Sequence, residues 1–298
     1  MKFSSLHTHT LFCDGRDDME TMCRRAREKG LASIGFSAHA PITGKTGIVT
    51  DWHLKDNLLD EYIAAVTAAR RRWEGKLPVY LGLEVDYIKG MMGPADRDLQ
   101  NRGLDFIIGS VHYIVPPNGA PPFTVDGPME ELEQGLREGF GGSGAAVLNA
   151  YWDAVGDMIA AGGFDILGHA DIVKKNNRGD RWFKSDDGVW QRRTAEIAHA
   201  AGRAAAIAGI AVEINTGGLN RKKTADPYPS LPFLRYFREN AVPVIITADA
   251  HCAEDLDGHY DTAVELLLEA GYTEHVLFEG RQDGKALWTT ENLLPPPS

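Results

Sequence analysis

The chain contains an early pattern that could bind a metal ion, His7-Thr8-His9, directly after the small and apolar residues 3–6. We interpret this stretch as a short strand, in which side chains two positions apart lie on one face. His7 and His9 would then project together, and two adjacent imidazoles can begin a metal site. A single His-x-His pattern is weak evidence, so the hypothesis depends on whether other strands end in similar residues.

Histidine, aspartate or glutamate follows most of the later apolar segments. The nine candidate metal ligands are His7, His9, Asp14, His39, Glu84, His112, His169, Asp249 and His251. One divalent ion normally takes three or four protein ligands, so this set suffices for two or three ions if a carboxylate bridges. Three divalent ions would outweigh the three carboxylates and leave a positive site that attracts a phosphoryl group. The remaining histidines we assign to ordinary core or loop positions: His53, His199, His259 and His275.

The elements that would position these residues alternate between strands and helices. Seven apolar segments are predicted to be strands, each separated from the next by at least one helix. Met19, Met22, Cys23 and Ala26, for example, recur at i, i+3, i+4 and i+7, which predicts a helix over about 17–29. Such alternation predicts right-handed βαβ units, a parallel sheet and a TIM-like barrel with its site at the C-terminal rim. An open doubly wound sheet is the alternative, but it would gather ligands at one switch point.

Two stretches and the C-terminal region depart from this alternation. Residues 115–147 are rich in proline and contain a glycine-rich run, and we expect a long irregular excursion that could cover the site. Residues 174–190 form a second, polar excursion, and a tail that wraps the surface is expected after about residue 272. We treat the whole chain, residues 1–298, as a single domain.

Composition narrows the class of function. The net charge of −11 argues against a nucleic-acid binder, and no apolar run is long enough for a membrane span. We expect no signal peptide, because the His-Thr-His strand begins at once. Three cysteines without Cys-x-x-Cys spacing fit a reducing compartment. The expectation is therefore a cytoplasmic enzyme that acts on small molecules; the oligomeric state stays open.

The order of the candidate ligands resembles the polymerase and histidinol phosphatase (PHP) family over about residues 5–270, and within it the bacterial L-histidinol-phosphate phosphatase branch. The resemblance implies a distorted (βα)7 barrel and a metal-dependent phosphatase with two to three divalent transition-metal ions (Zn, Mn or Fe). Both excursions look longer than is usual in that branch, and Gly217-Gly218 stands where Ser-Gly is more typical. The segments that carry the resemblance are Phe36-Ser-Ala-His39, Gly82-Leu-Glu84-Val-Asp86-Tyr87, Gly109-Ser-Val-His112, residues 164–175, residues 213–219 and Tyr228-Pro-Ser230.

By the same resemblance, the ligands divide among three ions. The first ion would take His7, His9, Glu84 and Asp249; the second Glu84, His112 and His169; the third Asp14, His39 and His251. A hydroxide between ions is the expected nucleophile, and no residue is assigned as the general acid.

The predicted reaction is hydrolysis of L-histidinol phosphate, a step of histidine biosynthesis. We predict that Arg221, Lys174 and Lys175 contact the phosphate, since cationic side chains follow strand ends there and arginine can clamp phosphate bidentately. Three alternatives stay open: another small phosphomonoester, a phosphodiesterase acting on nucleotides or oligonucleotides, and a non-catalytic, metal-stabilised scaffold. The predicted walls for the rest of the substrate are Asp86, Tyr87, Tyr113 and the first excursion.

Overall fold

The structure, a computed structural model, describes residues 1–185 and 187–294. Asp186, in the predicted second excursion, and residues 295–298, in the predicted tail, lie outside the described residues. The strands are β1 (Ser4–Ser5), β2 (Ser33–Phe36), β3 (Val79–Asp86), β4 (Phe106–Ser110), β5 (Tyr113–Ile114), β6 (Phe123–Thr124), β7 (Ile166–Leu167), β8 (Ala211–Asn215), β9 (Val244–Thr247), β10 (Glu274–Gln282) and β11 (Lys285–Asn292).

Helices occupy every crossover between the strands of the main sheet. The α-helices are α1 (Met19–Glu28), α2 (Thr43–Thr46), α3 (Leu59–Trp73), α4 (Arg97–Gln100), α5 (Met129–Phe140), α6 (Gly144–Ala161), α7 (Gly188–Ala208), α8 (Gly217–Asn220), α9 (Leu231–Glu239) and α10 (Tyr260–Glu269). Short 3-10 helices cover Asp56–Leu58, Ile172–Asn176, Arg178–Asp180 and Ala253–Asp255. Within residues 1–185 and 187–294, no helix has both the length and the apolar character that a membrane crossing requires.

Seven parallel strands form the main sheet in chain order, β1-β2-β3-β4-β7-β8-β9. The chain just beyond β1 pairs with the chain just beyond β9, because His9 N donates to Ala250 O at 2.8 Å and Ala250 N donates to His7 O at 3.0 Å. The sheet is thereby a nearly closed barrel. The predicted distorted (βα)7 fold is confirmed; the distortion is visible in β1 and β7, which are two residues long.

Helix α1 illustrates how the sequence dictates the outer layer. Its apolar positions, Met19, Met22, Cys23 and Ala26, are all buried against the barrel, as the helical spacing predicts. The Asp18 side chain caps the first turn by accepting a hydrogen bond from Thr21 N at 2.7 Å. The packing of this face, more than helix propensity, holds the helix in place.

The N-terminal end of the barrel is closed by an antiparallel hairpin made of β10 and β11. We call this end the barrel floor; its apolar cluster comprises Leu6, Phe106, Ile108, Ile166, Ala211, Ile245, Val276, Phe278 and Ala286, with Tyr80 and Trp288 against it. Trp288 Nε1 donates to Gly209 O at 2.6 Å, and Arg281 pairs with Asp165 at 2.7 Å, so polar contacts also anchor the hairpin. The expectation of a surface-wrapping tail is therefore wrong for residues 274–292, because alternating apolar residues of the hairpin complete a core.

The first excursion is more regular than expected. Within residues 115–147, β6 pairs with β5 and is followed by the twelve-residue helix α5. Glycines in α5 mark close packing instead of a break: a Cβ at Gly139 would lie 2.7 Å from Pro116, and one at Gly135 would lie 2.2 Å from Phe123. The prediction of an irregular segment is wrong because these glycines fit the helix against its hairpin. The second excursion holds the two short 3-10 helices at 172–176 and 178–180.

Candidate metal centre

All nine predicted ligands lie together at the C-terminal end of the barrel, which we call the barrel rim. They occur in four overlapping groups whose potential ligand atoms lie within 4.8 Å of one another. The groups are His9, Asp14, His39 and His251; His7, Glu84 and His169; His7, His9 and Asp249; and His39, Asp86 and His112. The structure thus brings the predicted residues to one place, and the division among individual ions stays a prediction.

Glu84 lies at the centre of this cluster and is fully buried. Its Oε2 atom lies 2.9 Å from His39 Nδ1 and 3.1 Å from His7 Nε2. Its Oε1 atom lies 2.8 Å from His169 Nε2 and 3.6 Å from His112 Nε2. One carboxylate therefore reaches imidazoles on both sides, which is the geometry that a bridging ligand requires.

Several ligand atoms of the cluster are buried and make no well-directed hydrogen bond within the described part of the chain, although some of them lie close to one another. They are His7 Nε2, His9 Nε2, Asp14 Oδ1, His39 Nδ1 and Glu84 Oε2. Leaving a buried polar atom unpaired costs about 1–3 kcal/mol, so native proteins rarely tolerate a concentration of them. Imidazoles and carboxylates that converge in this way fit metal ions, which bind them in place of protons.

Ionisable side chains at the rim shift the pKa values of their neighbours. Burial alone would raise the pKa of Glu84, but His7, His39 and His112 hold it well below its usual value. Burial would likewise raise the pKa of Asp249, which Arg221 and the histidines keep well below its usual value. Both carboxylates are therefore ionised. By contrast, burial together with His251 and His39 lowers the pKa of His9 to about 3, so this imidazole is neutral and available as a ligand.

Two buried carboxylates orient the histidines from behind. Glu213 Oε2 lies 2.9 Å from His7 Nδ1, and the same side chain accepts hydrogen bonds from His169 N at 2.7 Å and Thr247 Oγ1 at 2.8 Å. Because His7 donates from Nδ1, its Nε2 is left to face Glu84. Such partners fix the tautomer and ring orientation of a metal-binding histidine.

Asp86 performs the same task for His112. Its Oδ1 lies 2.9 Å from His112 Nδ1, and its Oδ2 lies 2.9 Å from His53 Nε2. Asp86 is thus a buried partner of two histidines. The prediction that it forms a wall for the substrate is wrong. His53, assigned from sequence to an ordinary position, is buried one hydrogen bond away from the cluster.

Sequence reasoning did not assign a role to Glu213 or His53. For Glu213 a signal was present, because an ionisable residue inside an apolar strand, here β8, must find buried partners. For His53 there was none, because its loop carries no periodic pattern and only the fold brings it to Asp86.

A cavity of about 290 Å³ opens above the cluster. The residues at the base of the cavity are Asp14, His39, Glu84, His112, His169, Asp249 and His251. Its walls are formed by Trp52, Thr124, Asp126, Gly127, Pro128, Glu131, Ile172, Lys175 and Arg221. Of the described residues that line the cavity, none is Tyr87 or Tyr113, which had been predicted as walls. Trp52, whose ring is stacked on Tyr113 with 5.8 Å between centroids, provides an aromatic wall instead. A larger hollow of about 710 Å³, near Arg70 and Tyr80, lies at the barrel floor away from the cluster.

Two of the three predicted phosphate contacts reach this cavity. Arg221 Nη2 donates to Asp249 Oδ2 at 2.9 Å, and its Nη1 lies 2.8 Å from His251 Nδ1. Lys175 pairs with Asp126 at 2.9 Å at the cavity wall. Lys174 lines a neighbouring hollow instead, because its ammonium group is held by Asp171 at 3.1 Å and by Pro227 O at 2.8 Å. The geometry favours Arg221 and Lys175 over Lys174.

Comparison with known proteins adds independent information. The PHP domain family model matches residues 5–217. A "Probable histidinol-phosphatase" of Deinococcus radiodurans is 29% identical over 266 residues, which cover 89% of this chain and 92% of that protein. A histidinol-phosphatase of Bacillus subtilis is 26% identical over 271 residues, 87% of this chain and 97% of that protein.

A solved structure has a similar fold. The histidinol phosphate phosphatase of Lactococcus lactis, complexed with Zn, L-histidinol and phosphate, superposes with a TM-score of 0.65 over 96% of this chain and 98% of that one. At 21% sequence identity, this likeness supports the barrel fold and nothing finer.

Proposed function

The chain belongs to the PHP domain family, and we propose that it is a metal-dependent phosphatase that hydrolyses L-histidinol phosphate to L-histidinol and phosphate. The observation that carries the proposal is the rim cluster, whose unpaired, buried ligand atoms converge beneath a cavity that also contains cationic side chains. The names of the two relatives support the same substrate.

The cofactors in this proposal are two or three divalent transition-metal ions, Zn, Mn or Fe, because histidine and carboxylate sites accept several such ions. When bound, these ions would supply Lewis acidity towards the phosphoryl oxygens and towards water. The proposed division, carried over from the resemblance, is His7, His9, Glu84 and Asp249 for one ion, Glu84, His112 and His169 for a second, and Asp14, His39 and His251 for a third.

The protein's own contribution is to orient the phosphate. Arg221 uses part of its guanidinium to contact Asp249 and His251, which leaves further N–H donors for a phosphate oxygen. Lys175, which is paired with Asp126, adds an ammonium donor at the wall of the same cavity. Donors that are fixed before the substrate binds stabilise the charge of the transition state without reorganisation.

Size and charge favour a small substrate over a nucleic acid. The cavity of about 290 Å³ is at the small end of ligand pockets, and the chain carries a net charge of −11. Trp52, Pro128 and Ile172 supply apolar wall that limits the access of water. The three cysteines are unpaired in the structure, which supports our placing of the enzyme in the reducing cytoplasm.

The decisive experiment is a substrate panel with protein reconstituted separately with Zn, Mn and Fe. We expect phosphate release from L-histidinol phosphate at a kcat/KM at least ten times that for 4-nitrophenyl phosphate, and little turnover of bis(4-nitrophenyl) phosphate. Preferred turnover of the diester would overturn the phosphomonoesterase proposal, and a preference for the aryl monoester would overturn the substrate.

Metal analysis tests the cluster separately from the substrate. Protein purified without chelators and then reconstituted should hold two to three ions per chain. A stoichiometry below two would contradict the multinuclear centre whatever the substrate.

A further inference from the structure

The outer wall of the cavity is made by the first excursion, which joins the barrel strand β4 to helix α6. Its contributions come from the end of β6, the connection that follows and the first turn of α5, namely Thr124, Asp126, Gly127, Pro128 and Glu131. Phosphate would be held by the rim cluster and Arg221, which line the same cavity. The outer wall is therefore left for the group to which the phosphate is attached.

The carboxylate of Glu131 is held rigidly in this wall. Its Oε1 accepts a hydrogen bond from Thr124 N and its Oε2 accepts one from Thr124 Oγ1, both at 2.8 Å. Gly127 permits the arrangement, because a Cβ there would lie 2.0 Å from Thr124 Oγ1 and 3.1 Å from Glu131 Oε2. The position of the carboxylate is thus determined before any substrate arrives.

The charge of Glu131 is uncompensated, unlike that of the other carboxylates around the cavity. Asp14, Glu84 and Asp249 belong to the rim cluster, and Asp126 is paired with Lys175 at 2.9 Å. Glu131 is bonded only to the neutral Thr124 and forms no ion pair with a Lys, Arg or His of residues 1–185 or 187–294. A lone negative charge in the wall of a phosphate site repels phosphate from that wall and attracts a cation to it.

We propose that Glu131 determines specificity by binding the cationic end of the substrate, an ammonium or imidazolium group, while the phosphate lies at the rim. The proposal rests on the proposed function and names the feature of the substrate that this wall recognises. Trp52, whose ring packs edge-on against His39 at 4.6 Å, gives the same cavity a flat aromatic surface beside which an imidazole ring or an ammonium group can lie. One charged wall therefore orients the substrate and favours phosphomonoesters that carry a cation.

The test compares Glu131→Gln with a matched control, Glu130→Gln. Both glutamates belong to the first turn of α5, but Glu130 is exposed and does not line the cavity. The probes are O-phosphoethanolamine and ethyl phosphate, which differ only by one ammonium group, together with L-histidinol phosphate. We expect Glu131→Gln to lower kcat/KM for the two cationic esters about 10- to 100-fold, as for a lost charged hydrogen bond. Turnover of ethyl phosphate should stay within about twofold, as should all three activities of Glu130→Gln.

Product inhibition gives a second readout that a merely structural role would not move. In Glu131→Gln, the inhibition constant of L-histidinol should rise by a similar factor, whereas that of inorganic phosphate should not. Equal losses for ethyl phosphate and O-phosphoethanolamine, or unchanged kinetics for both cationic esters, would overturn the role of Glu131. If the wild type ignores L-histidinol phosphate but still prefers O-phosphoethanolamine to ethyl phosphate through Glu131, the proposed substrate fails and the cation site stands.

Discussion

The two ends of the barrel are built from the same strands but bury opposite kinds of side chain, apolar at the floor and polar at the rim. Along the inner face of β4, Phe106 and Ile108 pack into the floor cluster, and Ser110 then donates to Glu84 at the rim. Along β8, Ala211 belongs to the floor, and Glu213 two positions later belongs to the rim. At the floor, apolar side chains are covered by a hairpin; at the rim, polar side chains are buried with ligand atoms unpaired.

Stability and function therefore depend on residues at opposite ends of each strand. Burial of apolar surface at the floor stabilises the fold, whereas the rim carries buried polar atoms that are costly without a ligand. Substitutions at the floor should therefore change the free energy of unfolding and leave the chemistry intact. Substitutions at the rim should change metal content and activity.

The largest effect is expected at the centre of the rim. Glu84→Gln removes the carboxylate that reaches five histidines within 3.6 Å, and we expect activity to fall at least 10³-fold, about 4 kcal/mol, together with loss of bound ions. Phosphate release and elemental analysis measure the two losses. A variant that keeps its ions and a tenth of its activity would show that Glu84 is not central.

The corresponding change at the floor is Phe278→Ala. Phe278 is 1% exposed and packs against Phe106 and Tyr80, so the cavity left behind should lower the free energy of unfolding by about 3–5 kcal/mol. Denaturant unfolding measures this loss. Activity per folded molecule should equal that of the wild type, and a large loss of kcat in folded protein would break the separation between the two ends.

Arg221→Ala tests a rim residue that is not among the predicted ligands. We expect the transition-state stabilisation, calculated from kcat/KM, to fall by about 2–4 kcal/mol, the range for a lost charge-assisted contact with a developing anion. Because Arg221 also contacts Asp249 and His251, metal affinity should fall by about tenfold. Assays at saturating metal separate the two effects, and Arg221→Lys, which keeps the charge, should recover part of the activity.

A smaller effect is expected from the residues that orient the rim. Glu213→Gln should weaken metal binding by about 10- to 100-fold, since His7 loses the acceptor that fixes its tautomer. Titration with a competing chelator measures the affinity, and excess metal should restore most of the activity. If affinity stays unchanged, the orientation of His7 must come from packing alone.

The smallest effect concerns the ion pair that anchors the hairpin. Burial raises the pKa of Asp165, and the guanidinium of Arg281 opposes that shift. Because the Arg281 side chain is 32% exposed, Arg281→Ala should lower the free energy of unfolding by only about 1 kcal/mol at neutral pH. Because the folded-state pKa of this carboxyl group lies above its unfolded value, its ionisation lowers the free energy of unfolding as the pH rises through the folded-state pKa. Arg281 stabilises only the ionised form. The cost of losing Arg281 should therefore shrink as the pH falls into the acid range, as unfolding curves at several pH values would reveal. A cost that grows on acidification would contradict this assignment.

Much of the fold and the cluster was accessible from sequence because both depend on local periodicity. The helical spacing at Met19 to Ala26 predicted α1, and histidines at strand ends predicted the rim. Contacts that depend on the folded arrangement were not accessible. The glycines that fit α5 against Phe123 looked like loop residues, and the floor hairpin looked like a tail, since its apolar partners lie in distant strands. The contact that joins His53 to His112 through Asp86 was missed for the same reason.

Barrel closure also governs when the metal centre can form during synthesis. His7 and His9 emerge early, but His251 pairs with Asp14 from 237 positions further along the chain. A nascent chain that stops before β9 lacks Asp249 and His251, so it cannot complete the cluster. Contacts of such large sequence separation form slowly and late in folding. Metal capture would then act as a checkpoint that distinguishes finished chains from interrupted ones.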